Sequence, residues 1–478
     1  MFNGTKNISL NKVVNFLFCL FPISFIVGSL IVTLNLYLFL ILSIVYIKKK
    51  NYKVKFNYTN SILVTFFLFI IISSFINIDS IKHDYALKSI LLFRFALLYL
   101  VIETLLINNN LNLKNFFTSS LMCVSFVSFD LIVQYLAGYD LLGYKSDTTG
   151  AGERGVFGNE GIAGGYIQKF SLFAIFGFLL FFNKNKYKKQ ILFFLVLAIS
   201  LGAFFATNRM SFLILIFSLI ILFFIFKEIR FVIITSLIAF FSIAAVTIDN
   251  DEILKKRYHN LIERFASGKK QVEKYSAKIE EEDKSKTKRV LYISSNHFQI
   301  YATAFESWKK KPILGQGHKS FRRKCEIKDS RITFLENIKK EKKNFHFQCS
   351  THPHNYHLEI LHDYGVIGFA MISFFVFMKL FEVFKRIKNK PKINNYFIYL
   401  IPIVLSLLIE IWPLKSTGRL FGTWNGTTVW LVIALTSITK INFDEKKIIR
   451  TFENQNYLFL FLFVVLFVSL LIEKNTSF

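Results

Sequence analysis

Residues 13–47 read VVNFLFCLFPISFIVGSLIVTLNLYLFLILSIVYI and run directly into Lys48-Lys49-Lys50. The stretch has no charged residue and is long enough for two membrane crossings of about 17 residues each. It has no small-residue cleavage site and is too long for the apolar core of a secretion signal. It therefore reads as two closely joined spans, 13–28 and 30–47, that end on a basic loop.

Further stretches of about 16–25 apolar residues lie near 60–77, 86–107, 115–138, 161–182, 190–206, 210–226 and 230–248. Four more lie near 363–384, 396–413, 424–440 and 457–472. With the first pair they predict an all-α fold, a polytopic transmembrane helical bundle of about 12–13 spans. Composition agrees: 53% hydrophobic and 19% charged residues over 478 is too apolar for an ordinary soluble domain, but suits a chain whose outer solvent is lipid. The 58 Phe against 6 Pro favour uninterrupted helices over the weak alternation of a membrane barrel. No internal repeat is visible.

The net charge of +28 could suggest nucleic acid, but its placement argues for a membrane. The cations sit in short runs between apolar stretches: Lys48 to Lys55, Lys184 to Lys189, and Lys385 to Lys392. Cytoplasmic loops look like this, and there they also meet anionic lipid heads. Placing 48–58 inside also puts 183–189, 227–230, 385–395 and 441–456 inside. The turns 139–160, 207–209 and 414–423 and the long segment 249–360 then face outward, into the periplasm of a bacterium. The expected organisation is N-terminal spans over 1–248, a large and mostly helical periplasmic loop over 249–353, and C-terminal spans over 354–478.

Within the long segment, 250–288 is densely charged and reads as a solvated helix with internal ion pairs. Residues 290–311 have helical apolar spacing and stop at Pro312, before a Gly315-Gln316-Gly317 turn. Cys19 and Cys123 lie in spans and read as inert apolar residues. Cys325 and Cys349 lie in the outward segment, where the compartment is oxidising, and are expected to form a disulfide.

Of nine histidines, only His83 lies outside 259–362. Four of them fall in one run, Thr351-His352-Pro353-His354-Asn355-Tyr356-His357 followed by Leu358 to Gly368 with His362 among them. Three readings fit. His352, His354 and His357 could hold a metal; one imidazole could act as a general base at the interface; or all could be solvated surface residues. The residues alone do not separate these.

A resemblance does favour one of them. His354-Asn355, nine residues, then Gly365-x-x-Gly368 is similar to the signature of the O-antigen ligase family. Pro312-Ile313-Leu314-Gly315-Gln316-Gly317 resembles that family's Pro-Leu-x-Gly-x-Gly turn. Thr207-Asn208-Arg209 resembles its Ser-Arg corner, and Arg154 to Glu160 resembles an Arg-x-x-Gly-x-Phe-Gly-Asn segment of related ligases and polymerases. Order of motifs, loop and span count agree over about two-thirds of the chain.

The resemblance implies a metal-independent, cofactor-free glycosyltransferase in the bacterial inner membrane. It would move a glycan from undecaprenyl diphosphate to a lipid A–core sugar hydroxyl on the periplasmic face. That chemistry needs cations for the departing diphosphate and a base for the acceptor hydroxyl. By the match, Arg209 is the diphosphate ligand and His354 the base or acceptor-orienting group. Asn355 would steady His354 or cap the following helix, and Gly365 and Gly368 would permit close packing.

The family's second loop arginine is missing: aligned through Pro312, that position is His297. His297, Arg289, or Arg322 with Arg323 could supply the charge, and Arg154 and Arg419 also lie on the outward face. Glu160 and Asp363 could orient a histidine. Glu103 and Glu410 sit in or near spans and receive no role. A polymerase of the same superfamily shares most of these features and differs only in acceptor. A lipid-linked sugar transporter would need repeated halves and charges deep within spans. A membrane scaffold would leave the clustered histidines unexplained.

Overall fold

An apolar helix in lipid satisfies its own backbone, so its ends and breaks must find partners elsewhere. How they do so is visible in a computed structural model that describes residues 9–78, 83–147, 152–182, 184–256, 258, 296–326, 347–389 and 395–440. The first apolar stretch forms α1 (Leu10–Cys19), α2 (Phe21–Val27) and α3 (Ser29–Lys49). The chain bends by 50° between α1 and α2, where Pro22 enters at the start of a helix, and turns into α3 at Gly28. Asn57, Asn112 and Asn208 each accept an amide hydrogen as N-caps of α4 (Tyr58–Ile76), α7 (Leu113–Ala137) and α10 (Arg209–Ile225). Between these lie α5 (His83–Ile90), α6 (Phe93–Ile107), α8 (Ala163–Phe181) and α9 (Lys188–Phe205). α11 (Arg230–Asn250) follows, then α12 (Asn296–Trp308) and the short α13 (Ser320–Glu326). α14 (Tyr356–Asn389), α15 (Asn395–Glu410) and α16 (Thr423–Leu435) complete the described helices.

Among the described residues eight helices are long and apolar enough to cross a membrane, nine if the bent α1–α2 pair is one span. The protein is an all-α, multi-pass membrane protein. The expected 12–13 spans exceed this count. α10, α15 and α16 form at three of the predicted places but run only 17, 16 and 13 residues. A hydropathy window counts apolar residues without knowing where backbone hydrogen bonding stops. The stretch 457–472, the charged stretch 259–288 and Arg289 lie outside the described residues.

The interior is aromatic. Trp430 on α16 is buried against Phe67 of α4 and Phe95 of α6, with ring centroids 5.0 and 6.4 Å away. Phe18, Phe39 and Phe116 interlock α1, α3 and α7. Two charged groups inside the bundle have specific partners. Glu103 accepts from Asn60 at 2.5 Å and from Tyr99 at 3.1 Å. Glu410 takes Lys169 and Lys415, both at 2.8 Å, and all three side chains are no more than 5% exposed. An ion triad of this kind is costly to break once buried.

Helix breaks and loops at one end of the bundle are locked together. α14 carries non-helical backbone at Gly365, which sits at φ +64°. The turn after α12 fills that break. Gln316 and Gly317 donate to the carbonyls of His362 and Asp363 at 3.1 and 2.8 Å, and Val366 donates to the Pro312 carbonyl at 2.9 Å. Gly315 and Gly365 lie backbone to backbone: a Cβ on Gly315 would collide with Asp363 and Tyr364, and one on Gly365 with Ile313. The two glycine motifs of the sequence are thus the two halves of one joint. Ser73 at the end of α4 donates to the Leu314 carbonyl at 2.8 Å and ties the joint to the bundle.

Candidate functional site

His354 sits where three chain segments meet, just before α14. Its backbone is left-handed, φ +56°, a conformation that costs a non-glycine residue about 1–3 kcal/mol and tends to occur at functional positions. Two contacts hold it there: its carbonyl accepts from the Thr417 amide at 2.9 Å and from the Tyr301 hydroxyl at 3.3 Å. Ser350 Oγ is 3.0 Å from its Nε2. His352 stacks beside it with ring centroids 4.0 Å apart, and His297 of α12 meets it edge-on at 4.9 Å. The residue standing at the position of the missing second arginine is therefore in contact with His354.

Burial, then the neighbouring His297 charge, lowers His354 to about 4. Burial, then His354 and Arg419, lowers His352 to about 3. Both imidazoles are neutral at pH 7 and free to accept a proton. His357 points elsewhere, with Nε2 2.8 Å from the Ile411 carbonyl, so the three histidines of the run do not converge on one point. Among the described residues no three His, Cys, Asp or Glu side chains are gathered as a metal site.

Asn355 caps the helix that follows it and grips the neighbouring turn. Its Oδ1 accepts from Leu358 as the cap of α14, and its Nδ2 donates to the Pro413 carbonyl at 2.6 Å. It therefore fixes the 411–422 turn, which carries Thr417, against the helix that follows His354. Asn355→Ala is expected to cost about 1–2 kcal/mol of stability, read as a lower melting temperature in detergent, with an equal loss not seen in Asn355→Asp if capping dominates.

Arg209 opens α10, half-buried, two residues after Thr207, whose backbone is also left-handed (φ +51°). Glycines let this corner approach the Arg154 segment. A Cβ on Gly152 would strike Ala206 and Thr207, and one on Gly164 would lie 2.9 Å from Asn208 Cβ. Glu153 donates its amide to the Phe205 carbonyl at 3.0 Å. From the other side Gln134 of α7 accepts the amides of Arg154 and Gly155, and Asp130 accepts that of Val156. Arg154 itself reaches the Asn159 carbonyl at 3.1 Å. An apolar groove of about 700 Å³ runs between α10 and α15, from Ile225 and Phe397 up to Met210, Trp412 and Leu414. Met210, the residue after Arg209, lines it together with Trp412 and Leu414 of the turn that holds His354.

Arg322 lies on α13, 3.8 Å from Glu326. Cys325 of that helix is joined to Cys349 in a disulfide with Cα atoms 5.4 Å apart, which ties α13 to the chain leading into the histidines. Asp363 does orient a histidine, but it is His362: Nδ1 to Oδ1 is 2.9 Å, and His362 Nε2 is 3.0 Å from Ser307 Oγ. Ser307 and His362 are 0% exposed and Asp363 3%, so this serine–histidine–aspartate chain is sealed and serves to clamp α12, α13 and α14 together. Glu160 is exposed, and Gly368 packs against Tyr364 and Phe69.

Residues 192–373 match a protein-family model described as O-antigen ligase. Over that segment the chain is similar to the O-antigen ligase family. The segment includes Arg209, His297, the Pro312–Gly317 turn, His354 and Gly365, so the joint and the histidine cluster fall within the matched region. A search of curated proteins returned no significant match. The family is one of glycosyltransferase-like ligases and polymerases, and in general terms it implies a lipid-linked glycan and a lipid acceptor.

Sequence reasoning passed over several residues now seen at this end of the bundle: Lys88, Arg94 and Lys319, and the Lys169–Glu410–Lys415 triad. For Arg94 and Lys169 a signal existed, since each is a lone cation within an apolar stretch, where an unneeded charge is expensive.

Proposed function

We propose that the protein is an O-antigen ligase-type glycosyltransferase that uses an undecaprenyl-diphosphate glycan and acts on the periplasmic face of the inner membrane. The observation that carries this reading is His354, a neutral imidazole held in strained backbone at the junction of α12, the 411–422 turn and α14. In this reading the donor's polyprenyl chain lies in the α10–α15 groove and its diphosphate meets Arg209, whose neighbour Met210 lines that groove. The acceptor hydroxyl gives its proton to His354 as its oxygen bonds to the anomeric carbon. The bond from that carbon to the diphosphate oxygen breaks, and polyprenyl diphosphate leaves with the bonding electron pair. His297, at the position where relatives carry arginine, adds a cation when protonated and so favours the departing anion. No step calls for a metal.

The acceptor decides between ligase and polymerase, and analysis of both glycan pools in cells lacking the protein tests it. Unmodified lipid A–core with long chains left on the polyprenyl carrier is the expected result. Core capped by a single repeat would make the protein a polymerase, and two unchanged pools would sink glycan transfer altogether.

A further inference from the structure

Beyond Arg209, the same end of the bundle holds a concentration of positive charge with little to neutralise it. Arg94 enters from α6, Arg322 from α13 and Arg419 from the 411–422 turn. In each of the three, a guanidinium nitrogen is buried and has no hydrogen-bond partner among the described residues. Lys88 of α5 and Lys319 join them, with ammonium groups 5.7 and 5.2 Å from the Tyr85 ring centroid. Tyr85 lies between the two lysines, and the other charges gather around Lys319 and His318. The charges of Lys319, Arg419, Arg94 and Lys88 all reach the buried His318 ring. Burial, and then Arg419, Lys88 and Arg322, bring Lys319 down to about 8.

The acids nearby are occupied. Asp363 accepts the Lys319 amide, Ser320 and His362. Glu359 accepts the Leu420 amide at 2.7 Å. Glu326 takes the Tyr85 hydroxyl at 3.2 Å and lies 3.8 Å from Arg322. Buried guanidinium nitrogens that lack acceptors are costly, and five cations drawn together repel one another. Both penalties vanish when a ligand with two or more negative charges and several oxygen acceptors occupies the space, and guanidinium forks fit phosphate oxygens well.

We propose that Arg94, Arg322 and Arg419, with Lys88 and Lys319, form a second oxyanion site that binds a phosphate or diphosphate group. Arg419 also acts on His352, so this site borders the histidine cluster. The phosphate could belong to the donor's diphosphate or to a phosphorylated acceptor glycolipid. The site rests on its own geometry and stands whether or not the transfer reaction is correct.

The test is binding of inorganic diphosphate to the purified full chain in nanodiscs, measured by calorimetry. Arg94→Gln, Arg322→Gln and Arg419→Gln are each expected to weaken binding about ten- to a hundredfold. Lys88→Gln, at an exposed position that disturbs no packing, is expected to weaken it several-fold. Displacement of diphosphate by undecaprenyl diphosphate alone would assign the site to the donor, and displacement by a phosphorylated lipid A–core alone would assign it to the acceptor. A wild-type protein that binds no diphosphate, or one whose affinity survives both Lys88→Gln and the folded arginine variants, overturns the proposal.

Discussion

His354→Ala is expected to reduce glycan transfer about 10²–10⁴-fold, the range for loss of a positioned base, while leaving the protein folded. Among the described residues the ring meets His297, His352 and Ser350, which lie outside the membrane-spanning helices, so those helices keep their partners. Normal protein levels and an intact Cys325–Cys349 disulfide would report the fold. The pH profile separates a base from a spacer. Because burial lowers His354 to about 4, it is neutral across the neutral range, and kcat/KM should fall only as pH drops toward 4. A bound diphosphate adds negative charge nearby, which raises the basicity of the imidazole and moves the acid limb of kcat upward. The same shift acts on stability. Between about 6.5 and 4 the unfolded chain binds a proton at this histidine that the native chain does not, so stability falls as pH falls through that window. His354→Ala should soften that acid loss. A variant made at normal levels that transfers glycan like wild type would remove His354 from the chemistry.

Gly365→Ala is expected to cost about 3–5 kcal/mol, enough to empty the membrane of folded protein. Two penalties combine. The backbone at φ +64° strains any residue with a Cβ, and that Cβ meets the Ile313 carbonyl of the docked turn. The turn cannot yield alone, since Ser73 and the amides of Gln316 and Gly317 hold it. Gly368→Ala is the control. Gly368 is not among the positive-φ glycines, and an added methyl there would meet the side chains of Tyr364 and Phe69 rather than backbone, so a loss of about 1–2 kcal/mol is expected. Equal melting temperatures for Gly365→Ala and wild type in detergent would show that the joint carries no strain.

The class of fold was readable because lipid imposes one rule, that backbone polar groups be satisfied internally, and long apolar runs such as 30–47 obey it visibly. The number of spans was less readable. Whether 396–413 is one crossing depends on where α15 stops, at Glu410, whose partner Lys169 comes from a distant part of the chain. His354, Asn355 and Arg209 were visible as motif residues, and the contact between His354 and His297 gives physical sense to the departure at position 297. The basic pocket was not visible as a unit. Its members come from positions 88, 94, 319, 322 and 419, each of which alone looks like an interfacial cation. What singles them out is that each of the three arginines has a buried nitrogen without a hydrogen-bond partner among the described residues, and that is a property of three dimensions.

The joint between the Pro312–Gly317 turn and the break at Gly365 also dictates an order of assembly. The turn is synthesised well before α14, so it must wait in water until that helix has crossed the bilayer and presented its open carbonyls at His362 and Asp363. Until then those groups face the membrane surface without partners. The disulfide bears on this wait, because it takes out a stretch of 24 residues from the loop that must close. Halving a loop of this kind lowers the entropy of closure by about 0.6 kcal/mol. A chain unable to form that bond has a longer loop to close and is expected to accumulate with its helices inserted and the turn undocked.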